Sequence, residues 1–133
     1  MPATVQRLPD EPILVATLTG KFTAEDALEV FRRSTELIND DDAIIYRITD
    51  AREADSTLPE MMQTVKVAAE RSGATTGDPR INVILVGKTT WLNFMRNNMQ
   101  TRGVELGLVT DFDLALKTAR VQIAAFNEKQ PTA

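Results

Sequence analysis

From Ile13 to Phe126 the chain alternates short runs of β-branched and aliphatic residues with longer stretches whose apolar side chains recur at helical spacing. That alternation admits few folds. Strands separated by helices pair side by side, mainly in parallel, through right-handed crossovers. The strand-like runs are Ile13–Thr19, Ala43–Thr49, Ile81–Val86 and Glu105–Val109. Ahead of them, Thr4–Leu8 is joined to Ile13–Thr19 by Pro9-Asp10-Glu11-Pro12, a turn sequence that predicts an opening antiparallel hairpin. In the second strand, Ile13 and Val15 share one face while Leu14, Ala16 and Leu18 share the other, so both faces are expected to be covered.

Four helices fill the intervals. The first is expected from Thr23, which opens a T-x-x-D start signal, to Ile38, with Ala27, Leu28, Phe31, Thr35 and Ile38 inward. The second runs from Leu58 to Arg71, with Pro59 in its first turn and Leu58, Met61, Met62, Val65, Ala68 and Ala69 as its apolar face. The third ends near Arg102, before Gly103. The fourth is capped by Thr110-Asp111 and reaches Phe126, with Leu116, Ala119, Ile123 and Phe126 inward. Gly20 is read as ending the second strand, Asn39–Asp42 as a solvated helix end, Asp50–Ser56 as a loop, and Ser72–Arg80 as the most flexible internal segment. The expected architecture is one α/β domain over residues 1–133, with a single mixed, mostly parallel sheet of about five strands in the order ββαβαβαβα and a frayed tail from about 128.

The chain has no cysteine and no histidine. Their absence removes thiol nucleophiles, disulfides, thiolate and imidazole metal sites, every Ser-His or Cys-His pair, and the commonest general acid–base. A net charge of −4 provides no basic groove for nucleic acid. The apolar runs are too short to span a bilayer, and the N-terminus lacks an apolar signal core, so cytoplasmic residence is the expectation. Gly87-Lys88-Thr89 lacks the first glycine and the wrapping loop of a phosphate-binding motif and reads as a strand-to-helix turn. Asn39–Asp42 lacks the alternating ligands of a calcium loop. No cofactor or metal is expected.

In an open α/β sheet, partners meet the loops at the carboxyl ends of the parallel strands. Here those are Gly20–Thr23, Asp50–Thr57, Gly87–Thr90 and Thr110-Asp111. Their hydroxyls and acids are preferred helix caps, and the helix starts also favour anions. A second candidate is apolar. Met62 on the second helix and Trp91, Phe94 and Met95 on the third suit either a pocket between the two helices or a protein contact.

The order of elements resembles the STAS domain, the family of bacterial anti-sigma-factor antagonists and their SpoIIAA-like relatives. Family members end the third strand with Asp and open the second helix with D-S-[ST]-G-L. Asp50 and Asp55-Ser56-Thr57-Leu58 stand in those places, with Leu58 directly after the Ser-Thr pair where the family has glycine. The acidic turn and Leu-Ala pattern of Thr110–Leu116 is similar to the family's last helix. The resemblance implies a non-catalytic regulatory module with Ser56 as the serine a partner kinase modifies and Asp55 as its neighbouring acid. A protein partner or a second copy would then dock over Arg52, Asp55, Ser56, Thr57, Lys88 and Thr89. The alternative is a carrier of a small apolar or lipid-like ligand. An enzyme using Lys21, Lys88 or a buried carboxylate is the weakest of the three readings.

Overall fold

The computed structural model describes residues 3–70, 80–88, 90–101 and 106–129, apart from the side chains of 68–70. The expectations for Ala68, Ala69, Ser72–Pro79, Thr89, Arg102, Gly103, Glu105 and the tail beyond Lys129 lie outside the described residues. The elements are β1 (Ala3–Arg7), β2 (Ile13–Lys21), α1 (Ala24–Glu36), β3 (Ile45–Asp55), α2 (Leu58–Glu70), β4 (Ile81–Val86), α3 (Thr90–Thr101), β5 (Leu106–Val109) and α4 (Phe112–Lys129). Glu128 and Lys129, expected in the frayed tail, still belong to α4.

The five strands lie in the order β1-β2-β3-β4-β5. Only β1 is antiparallel to its neighbour, and the β1–β2 turn places Asp10 at φ 61, a left-handed conformation that Asp tolerates. Each later strand pairs in parallel with the one before it. Right-handed crossovers that always advance in one direction put α1, α2 and α3 on one face. Against that face lie Leu14, Ala16, Leu18, Val83 and Leu85, in one core. On the other face Ile13, Ile48, Ile84 and Val86 pack against Ala115, Ala119 and Ile123 of α4. The two alanines let α4 come close to the sheet.

At the start of α1, the Thr23 hydroxyl accepts from the Asp26 N–H at 3.3 Å and the Asp26 carboxylate accepts from the Thr23 N–H at 2.9 Å, a full capping box. The helix buries Ala27, Val30, Phe31 and Ser34. Thr35, expected inward, is exposed, and Ser34 takes its place. Ser34 can be buried because its hydroxyl donates to the Val30 carbonyl at 2.7 Å. On α2, Met61, Thr64 and Val65 are buried, whereas Leu58 and Met62 face solvent. The sequence pattern is wide enough to place either set inward, and packing against α1 and α3 selects the first.

Of the expected loop Asp50–Ser56 only Ser56 lies outside a strand, and Gly20 does not end β2. Both strands run on, Thr19 beside Glu53, Gly20 beside Ala54 and Lys21 beside Asp55. Between Thr17↔Asp50 and Thr19↔Glu53 there is one more residue on β3 than on β2, a bulge at Ala51–Arg52. The extra residue reverses the in-out alternation. Ala54 therefore turns into the core, and the polar sequence DAREAD hides a strand whose period is interrupted.

Asn39, Asp40 and Asp41 are exposed, as a solvated helix end requires, but Asp42 is tied down. Arg7 of β1 donates to Asp42 Oδ2 at 2.8 Å and Oδ1 at 3.0 Å, and also to the Leu37 carbonyl at 2.9 Å. The Asn39 N–H donates to the same carboxylate at 2.7 Å. These bonds, led by Arg7, hold the Asp42 carboxyl below its ordinary range. A carboxyl with a depressed folded pKa stabilises above its unfolded pKa and loses that contribution as pH falls through the folded one. Asp42→Asn is expected to cost about 1–2 kcal/mol at pH 7. In urea titrations from pH 7 down to pH 2, the gap between variant and wild type should close below the ordinary carboxylate range; a pH-independent gap would refute the pairing.

Candidate functional site

The parallel strands bring their carboxyl ends to one rim, but the rim is stepped. The β4 and β5 strands stop level with Asp50, whereas β3 continues to Asp55 with β2 beside it. Five further residues raise this two-stranded tongue by roughly 16 Å. The predicted site residues therefore separate into groups.

On the tongue, the Phe22 N–H donates to the Asp55 carbonyl at 2.7 Å and the Ser56 hydroxyl donates to the Phe22 carbonyl at 3.0 Å. Ser56 is half-buried by this tie between the β2–α1 and β3–α2 connections. Its own N–H donates to Asp55 Oδ1 at 2.8 Å. Thr57 is exposed and takes the capping position, accepting from the Glu60 N–H at 3.4 Å. The Glu60 carboxylate reaches across to accept from the Ala24 N–H at 3.1 Å, which fastens the start of α2 to that of α1. Directly above stand Leu58 and Met62, 53% and 59% exposed.

Arg52 belongs to the other face. It donates to Asp50 from Nε at 2.9 Å and from Nη2 at 2.8 Å, and its guanidinium lies 5.8 Å from the Phe112 ring of α4. The bond from Arg52 holds the Asp50 carboxyl below its ordinary range. Lys88 is exposed on the lower step, after β4. Thr89 is outside the described residues. The rim thus unites Asp55, Ser56 and Thr57 and leaves Arg52 and Lys88 apart.

Strictly sequential strand order also means that the sheet has no point where its winding reverses, the usual place for a ligand crevice in an α/β sheet. The space in this molecule lies elsewhere. Among the described residues α1 leans over β1 and α3 over β5, while α2 rests on those two helices. Beneath α2 a cavity of about 70 Å³ remains above the central strands. Unfilled volume of that order costs on the order of 1–2 kcal/mol. Trp91 and Met95 line it, along with Phe22, Phe31 and Leu85. Phe94 packs on the same core without lining the cavity, and Met62 points away from it into solvent.

The polar side chains in this apolar wall are Arg47, Thr49, Thr64 and the indole N–H of Trp91. Arg47 sits on the central strand between Leu14 and Val83 and is 3% exposed. Its Nη1 donates to the Ser34 hydroxyl at 3.3 Å, and its guanidinium lies 5.5 Å from the Phe31 ring. Burial pulls its pKa down to about 10, so it stays charged at neutral pH. Trp91 is 6% exposed and stacks on Phe22 with ring centroids 6.2 Å apart, yet its Nε1–H has no acceptor among the described residues. Sequence reasoning passed over Arg47. The signal was one cation inside the apolar run AIIYRIT.

Among the described residues no group of three acids is placed to hold a metal ion, and no helix is long and apolar enough to cross a membrane. No protein-family model and no curated protein matches the chain. A solved structure does. An uncharacterized protein from the DUF3478 family of Shewanella loihica PV-4, described as having a SpoIIAA-like fold, superposes with a TM-score of 0.55. The match covers 86% of this chain and 90% of that one, at 18% sequence identity. The fold is SpoIIAA-like. In this SpoIIAA-like fold the tongue carrying Ser56 and the cavity carrying Arg47 lie on the same side of the sheet, one at its rim and one at its centre.

Proposed function

We propose that the chain is a non-catalytic interaction module that docks another protein at the start of α2, in the first instance a second copy of itself. The observation that carries this reading is the exposed pair Leu58 and Met62, one helical turn apart beside Asp55, Ser56 and Thr57. Two large apolar side chains held in water cost free energy that a partner's surface recovers. An apolar centre with a polar border is the composition of a protein contact. The SpoIIAA-like fold of the neighbouring structure agrees with a regulatory role of this kind. A phosphoryl group on Ser56 would remove the hydroxyl's bond to the Phe22 carbonyl and bring about −1.5 to −2 charges to the border of the patch.

Sedimentation velocity over a range of concentrations tests the reading. The wild-type chain is expected to self-associate. Leu58→Asp with Met62→Asp should weaken association by at least about tenfold, the effect of burying a charge in an apolar contact. Because both positions are solvent-exposed, circular dichroism and the unfolding midpoint should stay unchanged. A wild-type chain that sediments as a monomer throughout, or an equally associated double variant, would overturn it.

A further inference from the structure

The sheet has two edges, and they are not alike. Arg7 marks β1, whereas Leu106–Val109 of β5 carries neither a charge nor a proline, the residues that ordinarily keep an edge from pairing. The β5 edge is also open. The Val109 carbonyl accepts from the Gly87 N–H at 2.9 Å, so Val109 and Gly107 turn their backbone groups toward β4. By alternation Leu106 and Leu108 turn theirs outward, where no strand pairs with them among the described residues. We infer that this edge takes an added antiparallel strand from another protein, a segment that alternates acidic with apolar residues. The site is separate from the patch at the start of α2 and stands whether or not that patch docks a partner.

The alternation follows from the two sides of the edge. On the α3 side, a cleft of about 300 Å³ lies between Arg96 and Gln100 of the helix and Leu106 and Gly107 of the strand. Arg96 donates from Nη2 to Asn97 Oδ1 at 3.3 Å, while its Nε–H is buried and meets no acceptor among the described residues. A guanidinium carries its N–H donors in a planar fork, and a carboxylate matches that fork in shape and charge. In an antiparallel pair, the residues bonded to Leu106 and Leu108 place their side chains on the same side as those leucines, which pack into the core beneath α3. Those residues of the added strand are the acidic ones. On the α4 side Gly107 presents no side chain, and the atom nearest to where one would begin is Cγ1 of Ile84, 3.4 Å away. Leu114 and Val121 stand exposed on the flank of α4 opposite Phe112 and Arg120, which reach toward β3 and the β1–β2 turn. The alternate residues of the strand therefore meet an apolar surface. A second copy fits less well, because its own β5 would bring a second Arg96 to the same side of the sheet, cation against cation.

Amide NMR on the isotope-labelled chain tests the assignment, with a capped hexapeptide of alternating valine and glutamate as the probe. At millimolar peptide the amides of Leu106 and Leu108 are expected to shift saturably, and exchange of the Leu108 N–H with solvent should slow by at least about tenfold. N-methylation of the glutamates, whose N–H groups face β5, should abolish the effect. N-methylation of the valines, whose N–H groups face away, should leave it unchanged. The same peptide with lysine in place of glutamate should not bind measurably. Arg96→Glu should exchange the preference, accepting the lysine peptide and refusing the glutamate one. If that variant fails to fold, Arg96→Gln takes its place and should weaken the glutamate peptide at least about tenfold, the value of a charge-assisted hydrogen bond. No saturable shift at β5, equal binding of the two peptides, or indifference to methylation of the glutamates would each overturn the assignment. So would protection of Leu108 that rises with protein concentration alone, which would give the edge to a second copy.

Discussion

Replacing Ile48 with alanine is expected to remove about 3 kcal/mol of stability, among the largest losses available to a single truncation in this chain. Ile48 is fully buried at the middle of β3, between Val15 and Ile84, and points toward α4. A deleted side chain costs its transfer energy plus the cavity left behind, and the second part depends on whether neighbours can fall in. Here they cannot. Ladders on both sides hold the strand in place, and the α4 residues opposite, Ala115 and Ala119, are already too small to fill a hole. The denaturant midpoint should fall with the slope unchanged. Val121→Ala, on the exposed side of the same helix, should shift stability by no more than about 0.5 kcal/mol. Similar losses at the two positions would mean that α4 does not lie on this face of the sheet.

Gly87→Ala is expected to cost about 2–4 kcal/mol through two effects that can be separated. Gly87 ends β4 with φ 153, a conformation that side chains strain. A Cβ placed there would lie 2.4 Å from Leu92 Cδ1. Leu92 is 1% exposed in the first turn of α3, and the only space it meets is the small cavity it lines, so it can give way only in part. The backbone cannot shift freely either, because the Gly87 N–H donates to the Val109 carbonyl at 2.9 Å. Combining Gly87→Ala with Leu92→Ala removes the collision but not the backbone strain. The double variant should therefore be more stable than the sum of the two single losses implies, by about 1–2 kcal/mol. Additive losses would show that the backbone conformation alone is responsible. Gly20→Ala, also at positive φ but facing open space, should cost only about 1 kcal/mol.

The fold was readable in the sequence because it rests on periodicity. The runs at Ile13 and Ile81, the cap at Thr23 and the turn at Pro9–Pro12 each gave a local signal that the tertiary structure kept. What escaped was whatever tertiary contacts decide. The bulge at Ala51–Arg52 broke the alternation by which a strand is recognised, so the tongue read as a loop. Thr35 and Ser34 both fit a helix face, and only the sheet's position chose between them. Asp42 looked solvated like its neighbours because its partner, Arg7, is more than thirty residues away in the chain. The site was legible in part. Ser56, Thr57 and Trp91 were singled out, and the structure sets the first two on the tongue and the third in a buried wall. Arg47 was missed because one charge in an apolar run gives no period of its own.

The ordering of the strands bears on how the protein acquires its structure. Because every strand lies next to the one just before it, pairing never waits for a distant segment, and loop-closure costs stay small throughout. Parallel pairing still has to bridge a whole helix at each step, but no crossover here skips a strand. That order also suits a chain leaving the ribosome, where β1, β2 and β3 can zip together while β5 is still being synthesised. Only α4 must arrive last, sealing from behind a sheet laid down in reading order.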